Sequence, residues 1–214
     1  MTAAKPGFSA DCAQCSRLAC HLAEVRAEFP DYHAKPVAPF GAARPRLLIV
    51  GLAPGMHGAN RTGRPFTGDY AGDLLYATLL KFGLARGHYG VSADDGLKLV
   101  GCRITNAVRC VPPENKPTGV EIATCRHFLE AEIAALKRLK AILALGAIAH
   151  ASAVAALGLK QSQWRFGHGA VHALPGGLLL ADSYHCSRYN TNTGRLTTEM
   201  FEAVFRALKP RLGG

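Results

Sequence analysis

A carboxylate, an amide and an imidazole stand in three separate polar stretches of this sequence. Asp69 closes GLAPGMHGANRTGRPFTGD (51–69), Asn106 lies in RITNAVRC (103–110) and His185 opens HCSRYNTNTGR (185–195). A carboxylate can orient or activate a water. A primary amide offers donor and acceptor together and can read a pyrimidine edge with two hydrogen bonds. An imidazole can donate to negative charge developing on a leaving group. Each residue also has a plain structural reading. Asp69 begins DYAGDLLY (69–76) and suits a helix N-cap. Asn106 suits a loop amide with satisfied bonds, and Phe66 a core ring as readily as a face on which a base stacks.

Glycines at 51, 55, 58, 63 and 68 make the first stretch a wall that a flat ligand can approach closely. Gly51, Ala53, Gly55, Asn60 and Phe66 are its pocket-lining candidates. Neither nucleotide-binding pattern is present: the glycines do not fall as G-x-G-x-x-G, and no Lys-Ser or Lys-Thr follows them. No nucleotide cofactor is expected.

These stretches can meet only if the elements before them are aligned. RLLIVGL (46–52), CRITNAVR (102–109), AILALG (141–146) and GLLLADSYH (177–185) are short apolar runs that suit buried parallel strands. Helical spacing follows each of them, in AGDLLYATLLKFGL (71–84), GVEIATCRHFLEAEIAALKRL (119–139), AIAHASAVAAL (147–157) and TTEMFEAVFRALK (197–209). Such alternation implies a parallel sheet covered on both faces, with ligands at the carboxyl ends of the strands. An amphipathic helix is expected over 11–28. The chain of 214 residues suits one domain, 1–214, whose α/β core spans 46–208.

The net charge is +10 and the sequence pI is near 9.5. No lysine-dense tail carries that charge, so folding must assemble it into a patch. Nucleic acid is the leading partner. With 49% apolar residues a sizeable core is expected. No run approaches the roughly 18 to 20 apolar residues of a membrane span, and MTAAKPGFSADC (1–12) lacks a signal-peptide core. A cytosolic, nucleoid-associated protein without a membrane partner is expected.

Seven cysteines in such a chain point to metal or burial rather than disulfides. Cys12 and Cys15 are spaced C-x2-C, and Cys110 and Cys125 flank the loop after the second strand. Four thiolates hold a 4Fe-4S cluster or a zinc ion. The wide second spacing favours the cluster without deciding it. Cys20 and Cys102 suit the core as small hydrophobes, although Cys20 also lies within reach of the first pair.

GLAPGMHGANRTGRPFTGD, TNAVRCVPPENKPT (105–118) and HCSRYNTNTGRLT (185–197) together resemble the uracil-DNA glycosylase superfamily, specifically its iron–sulfur type B (family five) enzymes, over roughly residues 11–208. The resemblance implies a three-layer α/β/α sandwich around a four-stranded parallel sheet. It implies a monofunctional glycosylase that flips uracil, or another deaminated base, out of DNA and hydrolyses its N-glycosidic bond, leaving an abasic site for base-excision repair. By motif position, Phe66 stacks on the base, Asn106 reads its edge, Asp69 positions the water and His185 contacts the uracil oxygen. Cys12, Cys15, Cys110 and Cys125 match the ligands of a structural 4Fe-4S cluster. Arg61, Arg64, Lys116, Ser187, Arg188 and Arg195 are the DNA-contact candidates, with Tyr189 as a plug for the vacated stack. A monomer acting on double- and single-stranded DNA without magnesium is expected. The rivals are a protein that binds damaged bases or abasic sites without cleaving, and an iron–sulfur redox protein. Two residues depart from the wider pattern. Cys186 replaces the proline of His-Pro-Ser and is expected to loosen that loop. Ala53 stands where other branches carry an acidic or amide residue.

Overall fold

The computed structural model describes residues 7–213. The expected domain extends beyond them at residues 1–6 and 214. In chain order the strands are β1 (Phe40–Gly41), β2 (Leu47–Gly51), β3 (Ala85–Arg86), β4 (Lys98–Leu99), β5 (Cys102–Asn106), β6 (Ala141–Leu145), β7 (Val171–Ala173) and β8 (Leu179–Ser183). The α-helices are α1 (Ser16–Glu28), α2 (Ala59–Thr62), α3 (Tyr70–Lys81), α4 (Gly119–Ala135), α5 (Ala147–Ala156), α6 (Arg188–Asn192) and α7 (Thr198–Leu212).

The four expected strands run parallel in the order β5, β2, β6, β8. The sheet is nevertheless not the four-stranded parallel one expected. β1 pairs antiparallel with β5 and β7 antiparallel with β8, giving a mixed six-stranded sheet. Edge strands of two and three residues carry too little alternation to be read from a sequence. A separate ribbon joins β3 to β4. The first helix starts later than expected, at Ser16, because Cys15 is held in extended backbone as its N-cap residue. Cys12 and Cys15 therefore stand on the segment entering α1.

Every residue of β2 is buried, as a parallel strand with both faces covered requires. Its side chains alternate between the faces. Leu47 and Ile49 pack with Leu75 and Leu79 of α3 and Phe201 and Phe205 of α7. Leu48 and Val50 pack with Leu129 of α4 and Ala149 and Val154 of α5. A smaller cluster seats Leu18 and Leu22 of α1 against Val108, Cys125 and Phe128. The strand ends are in register, Gly51 beside Asn106 and Leu145 beside Ser183, so the three polar loops leave from one edge. Among the described residues no helix is long and apolar enough to cross a membrane.

Candidate active site

At that edge lies a cleft of about 630 Å³, with Ala53, Gly55, Phe66, Asp69, His185 and Arg188 among its lining residues. Gly51 and Asn106 do not line it themselves but stand against Phe66, which does. A β-carbon at Gly51 would collide with the Asn106 Oδ1 and with the Phe66 ring. Glycine is thus what allows the amide and the ring to meet. Asn106 is 3% exposed, and among the described residues its Oδ1 has no hydrogen-bond partner. A buried acceptor left open costs stability unless something occupies it.

Phe66 is buried and holds left-handed backbone at φ +53°. Its ring lies over that of His185, with centroids 5.9 Å apart and planes inclined by 28°. The strain is held from behind. The Tyr76 hydroxyl donates to the Pro65 carbonyl at 2.6 Å and the Tyr89 hydroxyl to the Phe66 carbonyl at 3.4 Å. Gly72 lets the first turn of α3 approach that carbonyl, where any β-carbon would collide.

Asp69 caps its helix and also faces the cleft. Oδ1 caps α3 by accepting the Gly72 N–H at 3.1 Å, while Oδ2 faces Gly55 and Gly58, whose missing β-carbons leave it room. Burial pushes its pKa above the ordinary 3.8. Desolvation pushes His185 down to about 4, so its imidazole is neutral at physiological pH. Cys186 does not loosen this loop as expected. Its side chain is wholly buried, and the thiol donates to the Ala71 carbonyl at 3.4 Å, tying the His185 loop to the first turn of α3.

A sequence model of the uracil DNA glycosylase superfamily matches residues 38–209. The chain is 47% identical over 210 residues to a type-5 uracil-DNA glycosylase of Thermus thermophilus, covering 95% of this chain and 94% of that one. It is 46% identical over 210 residues to a type-5 enzyme of Mycobacterium tuberculosis, covering 94% of this chain and 78% of that one. To a type-5 enzyme of Pyrobaculum aerophilum it is 42% identical over 200 residues, covering 92% and 87%. The chain belongs to the uracil-DNA glycosylase superfamily.

Uracil-DNA glycosylases act on DNA, and two of the expected DNA contacts stand in the cleft. Ser187 and Arg188 line it, Ser187 also capping α6 and Arg188 lying over the Tyr70 ring. Tyr189 is 71% exposed. Arg61, Lys116 and Arg195 are exposed, Lys116 beside Glu114 and Arg195 over the Tyr184 ring. Arg64 is a correction. It is buried, paired through both terminal nitrogens with Asp95 at 2.8 and 2.7 Å, and is no surface contact for DNA. Asn60 is a second. It sits wholly buried behind the wall, its amide turned to the Met56 carbonyl. Tyr70, His57 and Asn115 line the cleft and were not among the expected residues, although all three lie in or beside the quoted motifs.

At the end of β8 lies a buried cluster of titratable groups that the sequence did not announce. Asp182 is wholly buried and accepts from His150 Nδ1 at 2.7 Å and His172 Nε2 at 3.2 Å. The other nitrogen of His150, Nε2, faces the Trp164 carbonyl at 2.8 Å. Both of its nitrogens meet acceptors, an arrangement that favours the protonated ring. Burial pulls its pKa down, but the bonds to Asp182 and Trp164 and the carboxylate charge outweigh this, and the net shift is upward.

Cys12, Cys15, Cys110 and Cys125 line one cavity, brought there from the segment before α1, the loop after β5 and α4. Cys20 is exposed and does not line it; Cys102 is buried in the core. Thus the core role read for Cys20 does not hold.

Proposed function

We infer that this protein excises uracil from DNA by hydrolysing the N-glycosidic bond, as a monofunctional glycosylase of base-excision repair. The observation that carries the reading is the open Asn106 Oδ1 beside the Phe66 ring. A uracil stacked on Phe66 offers that oxygen its N3–H and offers its O4 to the amide nitrogen. The base must first leave the duplex, at a cost of a few kcal/mol that is least in a mismatch. Tyr189 fills the space it leaves, and Arg61, Lys116, Arg188 and Arg195 meet phosphates, with Ser187 beside them.

Cleavage places positive charge on the sugar and negative charge on the base. The Asp69 Oδ2 holds the attacking water and faces the first; the neutral His185 donates an N–H to the uracil oxygen and steadies the second. Binding without cleavage is not favoured, since it gives the Asp69 Oδ2 that faces Gly55 and Gly58 no task and the type-5 relatives are glycosylases. End-labelled strands with one uracil opposite guanine, opposite adenine or unpaired are expected to break with alkali at the uracil, without magnesium and fastest opposite guanine. Intact strands that nonetheless bind the protein tightly would overturn excision.

We also propose that Cys12, Cys15, Cys110 and Cys125 hold a 4Fe-4S cluster. Its work when bound is structural, joining the segment before α1 to the loop after β5. Thiolates around one zinc lie about 3.8 Å apart, the tetrahedral edge of roughly 2.3 Å bonds. Among the described residues no three of these sulfurs lie within 4.8 Å of one another, a spread that supports the larger cluster over a single zinc. Metal analysis of the purified protein should find about four irons per chain; one zinc and no iron would replace the cluster.

A further inference from the structure

β8 leaves the sheet after Ser183, its last residue to pair with β6. The next backbone donor, the Tyr184 N–H, must find an acceptor elsewhere. It donates to His168 Nδ1 at 3.1 Å, and the Ser183 hydroxyl lies 3.5 Å from the same nitrogen. The His168 ring also stacks on the Tyr184 ring, with centroids 4.9 Å apart and planes inclined by 16°. A ring nitrogen that accepts carries no proton, so the proton of His168 sits on Nε2. The ring further hydrogen-bonds the Met200 backbone in the first turn of α7. Burial pulls the His168 pKa below its ordinary 6.5 against the opposing effect of the Met200 bond, which keeps the Nδ1 lone pair open at physiological pH.

The loop that carries His168 is itself fixed to β8. The Gly167 N–H donates to Asp182 Oδ2 at 3.2 Å and the Gly169 N–H to the Asp182 carbonyl at 2.9 Å. The Asp182 N–H donates back to the Ala170 carbonyl at 3.0 Å. His168 is therefore anchored on both sides by one buried aspartate, whose Oδ1 is held by His150. Beyond Tyr184 the chain is tied again. The His185 carbonyl accepts from Asn190 Nδ2 at 2.8 Å, and the Cys186 thiol donates to the Ala71 carbonyl. Residues 184 to 186 are thus each held by a different partner, and the first of these ties is His168.

We propose that His168 is a positioning residue for base excision, fixing through the Tyr184 N–H the backbone from which His185 reaches the departing base. The assignment rests on the excision reading, in which His185 donates to the uracil oxygen. His168 does not line the cleft and acts only through that backbone. A donor aimed at developing charge loses much of its effect when displaced by about 1 Å.

Two substitutions separate the nitrogens of the ring. The side-chain amide of asparagine falls near Nδ1 and can accept the Tyr184 N–H; that of glutamine reaches toward Nε2 and leaves Tyr184 without its acceptor. On a duplex with uracil opposite guanine, His168→Gln should lower kcat roughly tenfold with KM within about twofold, and His168→Asn should stay within about threefold of wild type. In a His185→Ala background, read under single turnover, His168→Gln should cost less than about twofold more, because no imidazole is left to position. A merely structural role would cost the same in both backgrounds. Wild-type protein that releases no uracil defeats the excision reading and this role with it. Where wild type does release uracil, an undiminished kcat in His168→Gln, a loss confined to KM, or a loss that persists in full without His185 overturns the role of His168 alone.

Discussion

Asp69→Asn is expected to slow uracil release about 100-fold or more while leaving the melting temperature unchanged or higher. The two oxygens of Asp69 have separate tasks. Oδ1 caps α3 on the Gly72 N–H, and asparagine caps a helix about as well as aspartate. Oδ2 faces the cleft past Gly55 and Gly58, and only an ionised carboxylate there both polarises a water and faces the positive sugar. Burial already disfavours that charge, raising the pKa. A carboxylate whose folded pKa is raised is destabilising at pH values above its unfolded pKa, so removing the charge relieves the fold.

Activity and stability therefore move in opposite directions at this residue. The wild-type rate should also fall as pH drops through the raised Asp69 pKa, at a point above 3.8. His185, neutral above about 4, adds no inflection near its ordinary 6.5. Single-turnover rates across pH, set beside thermal melts, test both parts. Wild-type turnover by the variant would remove Asp69 from the mechanism, and a fall of many degrees in melting temperature would show that asparagine does not cap.

Asp95→Asn should cost about 3–5 kcal/mol, on the order of 10 °C in melting temperature for a chain of this size. The Arg64–Asp95 pair is 4% exposed on each side, and the guanidinium also faces the rings of Phe40, Tyr76 and Tyr89 at 5.1 to 5.8 Å. Asparagine leaves that buried cation uncompensated. The Arg64 side chain further holds the Thr67 hydroxyl at 2.7 Å, one residue beyond the strained Phe66. Excision should therefore weaken even at temperatures where the variant stays folded. The Arg64 guanidinium holds the Asp95 carboxyl well below its ordinary range. The pair's contribution is thus complete above about pH 4 and is lost only as pH falls further, through the depressed pKa. A melting temperature within about two degrees of wild type at neutral pH would refute the pair's structural role.

Much of this arrangement is written in local pattern. Apolar runs such as RLLIVGL are short and bounded by turn residues, so the inner parallel strands and their order of helices were legible. The glycine-rich loop announced a pocket because backbone freedom and an aromatic residue stand together there. Spacing alone also brought the cysteines into two candidate pairs.

Other features depend on partners far away in the chain. Nothing near Arg64 distinguishes it from Arg61, yet Asp95 buries one and solvent keeps the other. Cys20 and Cys15 share a segment, and only the seating of α1 decides that Cys15 joins the cavity while Cys20 faces outward. Whether Asp69 caps a helix or faces the cleft was undecidable by spacing; in the fold one oxygen caps α3 and the other lies against Gly55 and Gly58. By itself the sequence determined the alternation of elements and the chemistry held in each loop, because secondary structure and side-chain type are local properties. The tertiary structure decided burial, charge pairing and which face each group presents, because those depend on contacts between residues tens of positions apart.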